Sequence, residues 1–289
     1  QAALIVGVGV VCAVRVGKLP VAIPSMRNDL GLTLVEAGFL LSVVQVAGML
    51  GGLAIGLLAD RLGPQRVMQV GLCLLAAGSA AGAVASHVTQ LMWSRGLEGA
   101  GFLLAVLPAP ALLRRSLADP VIVSRSLGWW GAYMPLGTAM ALLLGGAVIG
   151  VTGWRGLWMA LSFMSLCSAW ALWRHVPASG GACVTEGFGA RLKRTLRAAG
   201  PWLTALAFFL YSGQWLAVVG FLPTVYADAG VSTVTAGWLT ALAAGINMTG
   251  NIAAGRLLAR GCSPGLLLGA GYGSMALGAM EAFGLEGCP

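Results

Sequence analysis

Apolar residues run through this chain in long blocks, and the breaks between them are short stretches in which glycine, proline, aspartate and arginine gather. The blocks stand at 2–26, 36–58, 67–86, 89–113, 125–150, 154–174, 201–227, 235–258 and 264–284. A helix needs about 20 mainly apolar residues to cross a hydrocarbon core ~30 Å thick. The pattern therefore predicts about nine transmembrane helices and an all-α integral membrane protein. The 44 glycines suit that solvent, because small residues let membrane helices approach closely and helices in lipid tolerate glycine and proline.

Composition agrees, and charge gives the chain a direction. Of 289 residues, 58% are hydrophobic and 9% charged, against about a quarter charged in a soluble domain. Alternating loops place Arg61, Arg66, Arg114, Arg115, Arg125, Arg174, Arg191, Lys193, Arg194, Arg197, Arg256 and Arg260 on one side, and only Arg27 and Arg155 on the other. Positive charge collects on the cytoplasmic side of a membrane. The N-terminus and the basic stretch at 178–200 are thus expected in the cytoplasm, with the first helix running outward through the cytoplasmic (inner) membrane. The net charge of +8 then no longer suggests nucleic acid, and no aromatics interleave with the basic residues to read bases. Residues 188–199 have the pattern of a short amphipathic helix on that surface, or of a solvated linker. The cysteines Cys12, Cys73, Cys167, Cys183, Cys262 and Cys288 show no C-x-x-C spacing and read as small hydrophobes. From Gln1 onward no charged region with a cleavage site marks a signal peptide, and the natural start is expected further upstream.

Shifted by 199 positions, the sequence meets itself. Pro24 falls on Pro223, Asp29 on Asp228, Gly31 on Gly230, Met49 on Met248, Gly51 on Gly250, Gly56 on Gly255 and Arg61 on Arg260. Two related halves are a known way to build a central site between two helical bundles. The first half occupies six helices, to about residue 177. The same offset would carry a complete second half well beyond residue 289, so the chain is expected to hold the counterparts of only the first three helices of the repeat.

Between the second and third blocks lies Gly56-Leu57-Leu58-Ala59-Asp60-Arg61-Leu62-Gly63-Pro64-Gln65-Arg66. In spacing and charge it resembles the cytoplasmic loop motif of the major facilitator superfamily of transporters. Arg95-Gly96-Leu97-Glu98-Gly99-Ala100-Gly101 resembles that family's fourth-helix motif, and Gly153-Trp154-Arg155-Gly156 its feature before helix six. The resemblance implies twelve helices in two bundles that rock around a midplane site. On that frame 1–177 is a six-helix N-terminal bundle, 178–200 a cytoplasmic linker and 201–289 a partial C-terminal bundle of three helices. It also implies a gating loop of Gly56, Asp60, Arg61, Gly63 and Arg66, whose aspartate holds the bundles together through a late helix of the second half. With only three helices of the second half expected in 201–289, the counterpart of that helix is not expected among them, so a second reading stands beside the latch. Gly63 and Pro64 make a tight turn at the membrane surface, and the arginines anchor it. Within the superfamily, the prolines of helix one and the loop pattern after helix seven are similar to the cyanate- and nitroimidazole-type permeases. In the drug/proton antiporters a glycine precedes the helix-five proline, where this chain has Met134 before Pro135.

Charges inside the blocks carry the functional expectations. Arg15 lies about 20 Å into its helix at 1.5 Å per residue, and Lys18 shares its face. Such charges usually face a cavity or a partner and mark a solute pathway. Two cations on one face favour an anionic substrate, unless they snorkel outward or pair with Glu98. Arg95 and Glu98 share a helix face; they either couple protons or form a neutralised pair that lets the helix insert. Tyr133, Tyr211, Gln214 and Asn247 are polar groups that either contact substrate or bond helix to helix. Trp129, Trp130, Trp154, Trp158 and Trp202 read as interfacial belts.

The expected function is a secondary active transporter moving a small organic or inorganic anion with protons. Drug/proton efflux and a non-transporting membrane protein are the alternatives. No enzyme is expected. His87 and His175 are the only histidines, no catalytic constellation or metal spacing appears, and no P-loop occurs. The expected partners are therefore a small anion, protons and lipid, with no cofactor and no metal, for a chain working as a monomer.

Overall fold

The computed structural model describes residues 1–177, 188–228, 230–231 and 233–284. Among the described residues every regular element is a helix, as hydrocarbon requires of a backbone that has no water to bond. The order is α1 (Ala2–Leu30), α2 (Leu34–Leu62), α3 (Pro64–Ala83), α4 (Val88–Val106), α5 (Ala109–Ser116), α6 (Pro120–Gly131), α7 (Tyr133–His175), α8 (Phe188–Arg197), α9 (Ala199–Asp228), α10 (Thr233–Ala259) and α11 (Pro264–Gly284). Each expected apolar block falls on helix. Of these, Ala2–Leu30, Pro64–Ala83, Val88–Ser116 and Pro120–His175 stand out among the described residues as long and apolar enough to cross a membrane.

Two expected elements are redrawn. The block at 89–113 breaks around Leu107 and Pro108 into α4 and α5. The block at 125–150 begins earlier, where Asp119 caps α6 by accepting from Val121 N at 2.8 Å, and it steps at Ala132 into α7. There is almost no loop between the expected fifth and sixth helices. Gly137 lies against Ala13 and Gly145 against Val21, so the first part of α7 runs parallel to α1. Arg15 then bonds to Leu161 and Ser165, and Leu172 shares a core with Ile5, so the second part runs antiparallel. The reversal turns on Gly153 at φ 71°, a conformation a β-carbon would strain.

The repeat is visible in the backbone as well. Gly31 ends α1 at φ 67°, and its counterpart Gly230 follows α9 at φ 73°. The turn into α2 is fixed by reciprocal bonds: Thr33 Oγ1 accepts from Glu36 N at 3.2 Å, and Glu36 Oε2 accepts from Thr33 N at 2.9 Å, satisfying two helix-end donors.

α1 packs along α7, α3 packs on α4 and α7, and α2 packs on α4; α10 lies against α6 and α9. The first-half core is two apolar clusters. One gathers Ile5, Cys12, Met68, Leu72, Leu112 and Trp130; the other gathers Leu19, Met26, Leu40, Leu91, Trp154 and Trp158. On four helices the polar positions fall between them: Arg15 and Lys18 on α1, Ser79 on α3, Arg95 and Glu98 on α4, Ser165 on α7. The expected tryptophan belt needs correction here. Trp130, Trp154 and Trp158 are buried, Trp130 stacked on Tyr133 and Trp158 set edge-on to Trp154. Only Trp129 and Trp202 of that set are exposed.

Candidate functional site

The polar layer between the apolar clusters is held by one carboxylate. Glu98 Oε1 takes Lys18 Nζ at 2.5 Å and Arg15 Nη1 at 3.4 Å, while its Oε2 takes Arg95 Nη1 at 2.5 Å. All four side chains are 0–3% exposed. Backbone and hydroxyl oxygens meet the remaining donors. Arg15 donates to Leu75 O at 3.0 Å, to Leu161 O at 2.5 Å and to Ser165 Oγ. Lys18 donates to Ser79 Oγ at 3.1 Å and sits 4.0 Å over the Trp158 ring. Glycine makes room for the carboxylate: a β-carbon on Gly78 would stand 2.9 Å from Glu98 Cγ. Three formal positive charges thus face one negative charge in a buried layer, where unpaired charge is costly. Among the described residues Arg15 Nε, Arg95 Nε and Trp158 Nε1 are buried N–H groups that find no hydrogen-bond partner.

The structure therefore brings Arg15, Lys18, Arg95 and Glu98 into a single cluster that joins α1, α3, α4 and α7. Neither cation of α1 snorkels, and the pairing with Glu98 is present. Tyr133 lies apart from this cluster, packed with Trp130 against the first core. In the second half Tyr211 and Asn247 bond to each other across α9 and α10, with Asn247 Nδ2 donating at 3.0 Å. Gln214 Nε2 reaches Met275 O at 3.4 Å. These are helix-to-helix bonds. Asn251, one turn beyond Asn247, extends the chain by donating to Asn247 O at 3.1 Å. Its side chain meets Gly131 of α6. The loop residues sit at the end of the bundle: Gly56, Asp60 and Arg61 in the last turns of α2, Gly63 in the turn at φ 89°, and Arg66 in the first turn of α3.

Three positions that sequence reasoning passed over do structural work. Asp29, at the end of α1, pairs with Arg155 and accepts from Trp154 Nε1 at 2.9 Å. Arg155 also donates to Ala85 O at 3.0 Å, tying α1, α7 and the α3–α4 turn together. Gln65, buried beside the loop arginines, donates to Val176 O at 2.8 Å. Their signals in the sequence were Asp29 in the repeat, Arg155 on the sparse opposite side and in the feature at 153–156, and Gln65 in the loop motif, and these pointed to topology and family rather than to contact. Among the described residues no group of three or more His, Cys, Asp or Glu could hold a metal ion.

Long apolar helices, a repeated unit and charge buried at mid-helix define a multi-pass membrane protein. The family model of the Major Facilitator Superfamily matches residues 4–285, and the chain belongs to that family. It is 27% identical over 165 residues to the methylenomycin A resistance protein of Bacillus subtilis, covering 54% of this chain and 34% of that protein. It is 30% identical over 138 residues to the puromycin resistance protein pur8 of Streptomyces alboniger, covering 47% and 27%. With the 4-hydroxybenzoate transporter PcaK of Pseudomonas aeruginosa the identity is 28% over 189 residues, covering 64% and 41%. The matched region thus spans less than half the length of each of these relatives. Among solved structures, the E. coli fucose:proton symporter FucP superposes with a TM-score of 0.72 at 18% identity, over 93% of this chain and 73% of that one. The proton:xylose symporter XylE superposes at 0.66 and 16% identity, over 87% and 67%. These two likenesses describe the fold.

Proposed function

We propose that this chain works in a secondary active transporter that carries a small anion across the cytoplasmic membrane by alternating access, coupled to protons. The buried layer carries this reading. Three cations on one carboxylate leave an excess of two positive formal charges among membrane-spanning helices, and such an excess attracts anions strongly where the dielectric is low. Arg15 and Lys18 are the anion-binding pair. Arg95 and Glu98 are the coupling pair, because a proton on Glu98 would remove the negative charge that ties α1 to α4. Solute and proton then reach the layer only when the helices part. Tyr133, Tyr211, Gln214 and Asn247 contact the solute from outside the layer. The frame is a six-helix bundle at 1–177, a cytoplasmic linker at 178–200 and a second bundle beginning at 201, with a cytoplasmic N-terminus and a monomeric state. The relative named for 4-hydroxybenzoate, a carboxylate, supports an anionic solute.

The relatives named for methylenomycin A and puromycin resistance favour a second reading, drug/proton efflux. Proteoliposomes separate the two. The anion reading expects labelled 4-hydroxybenzoate or a small inorganic anion to enter under an inward proton gradient, with uptake lost in Arg15→Ala and uncoupled from the gradient in Glu98→Gln. Gradient-driven movement of puromycin, with no anion uptake in the unsubstituted protein, replaces that reading with efflux.

A further inference from the structure

At the end of the bundle remote from Asp29, a pocket of about 370 Å³ opens between the first turn of α3 and the last turn of α7. Gln65, Arg66, Gln69, Trp173, Arg174 and His175 line it. Its walls are fixed from behind. Gln65 is only 3% exposed, and its Nε2 donates to Val176 O at 2.8 Å and to Leu172 O at 3.5 Å, two carbonyls from the last turn of α7. That bond sets Arg66 of one helix and Arg174 and His175 of the other around a common space.

Among the described residues none of Arg66, Arg174 and His175 has a carboxylate partner. Arg174 at a helix C-terminus is favourably placed, but Arg66 sits in the first turn of α3, which holds no acidic residue, at the end where the helix dipole already repels a cation. Arg66 and Arg174 face one space with like charge, which an anion would balance. We propose that this pocket binds the phosphate group of an anionic phospholipid.

Geometry selects the lipid over free phosphate. The pocket lies at the ends of two segments long and apolar enough to cross a membrane, and the ends of such segments meet the headgroup region. Trp173, 66% exposed, offers it an amphipathic ring of the kind that settles at the membrane interface. Arginine forks match phosphate oxygens two at a time, and basic pockets between the cytoplasmic ends of spanning helices suit anionic headgroups.

Native mass spectrometry of the detergent-solubilised chain tests this. The probes are phosphatidylglycerol, phosphatidylcholine of the same acyl length, and inorganic phosphate. Retention of phosphatidylglycerol over phosphatidylcholine is expected to fall about tenfold in Arg66→Gln/Arg174→Gln, the effect of losing a charge-assisted bond. It is expected to persist in Arg256→Gln/Arg260→Gln, which removes the same charge at the end of α10. Both variants alter exposed side chains, and circular dichroism checks that the helices survive. Equal loss in the two variants would overturn the site in favour of diffuse charge. Displacement of the lipid by millimolar phosphate would overturn the lipid assignment.

Discussion

Two ion-paired clusters, one at mid-helix and one at the helix ends, use the same residue types and hold the chain by different physics. Glu98 meets its three cations with every side chain nearly or fully buried, whereas Asp29 and Arg155 are each 42% exposed. Water and salt screen the outer pair, and such pairs contribute at most ~1 kcal/mol. The inner cluster is buried, so its cost appears when one member is removed and the others are left charged. Each cluster ties α1 to α7, but the inner one does so through buried charge.

The largest expected effect is at the centre. Glu98→Gln leaves three cations without their counter-charge and is expected to cost about 3–5 kcal/mol, seen as a lowered unfolding midpoint in detergent. Arg95→Met removes one of the three, leaves Glu98 paired with Lys18 and Arg15, and is expected to cost less than half as much; equal losses would mean the four residues stand or fall as one network. Between the two clusters in magnitude comes the contact of the halves. A β-carbon on Gly128 would meet Gly255 Cα at 2.8 Å, so Gly128→Leu is expected to cost about 1–3 kcal/mol by overpacking. Gly146→Leu, which faces open space, is expected to cost no more than the small loss of any exposed substitution. The smallest effect is at the helix ends. Asp29→Asn is expected to cost at most ~1 kcal/mol and to show no difference from the unsubstituted protein in ~0.5 M salt. A loss that survives salt would place Asp29 with the buried system instead.

How much of this could be read beforehand depends on sequence distance. The helices were legible because membrane thickness sets a block length that nothing else in the chain imitates. Arg15, Lys18, Arg95 and Glu98 were legible singly, since charge in an apolar block is rare. Pairing with Glu98 stood as one alternative for each cation, but the choice among alternatives was not legible, because Arg15 and Glu98 lie 83 positions apart and a helical wheel says nothing about which neighbour a face meets. Ser79 and Ser165 gave no signal at all, as hydroxyls commonly bond their own helix. Asp29 and Arg155, 126 positions apart, looked like ordinary loop charge. The belt reading of Trp154 and Trp158 failed for a related reason: the reversal at Gly153 needs no loop, so residues just past a block boundary are already inside the bundle.

The crossing of α6 and α10 has one more property. Side chains that interlock across an interface act as cogs, and moving one surface over the other means lifting each tooth from its gap. Gly128 and Gly255 meet as bare backbone, each occupying the space where the other would carry a β-carbon. At that point the first half bears on the second as a smooth journal does on its bushing, with no rotamer to reset when one turns against the other.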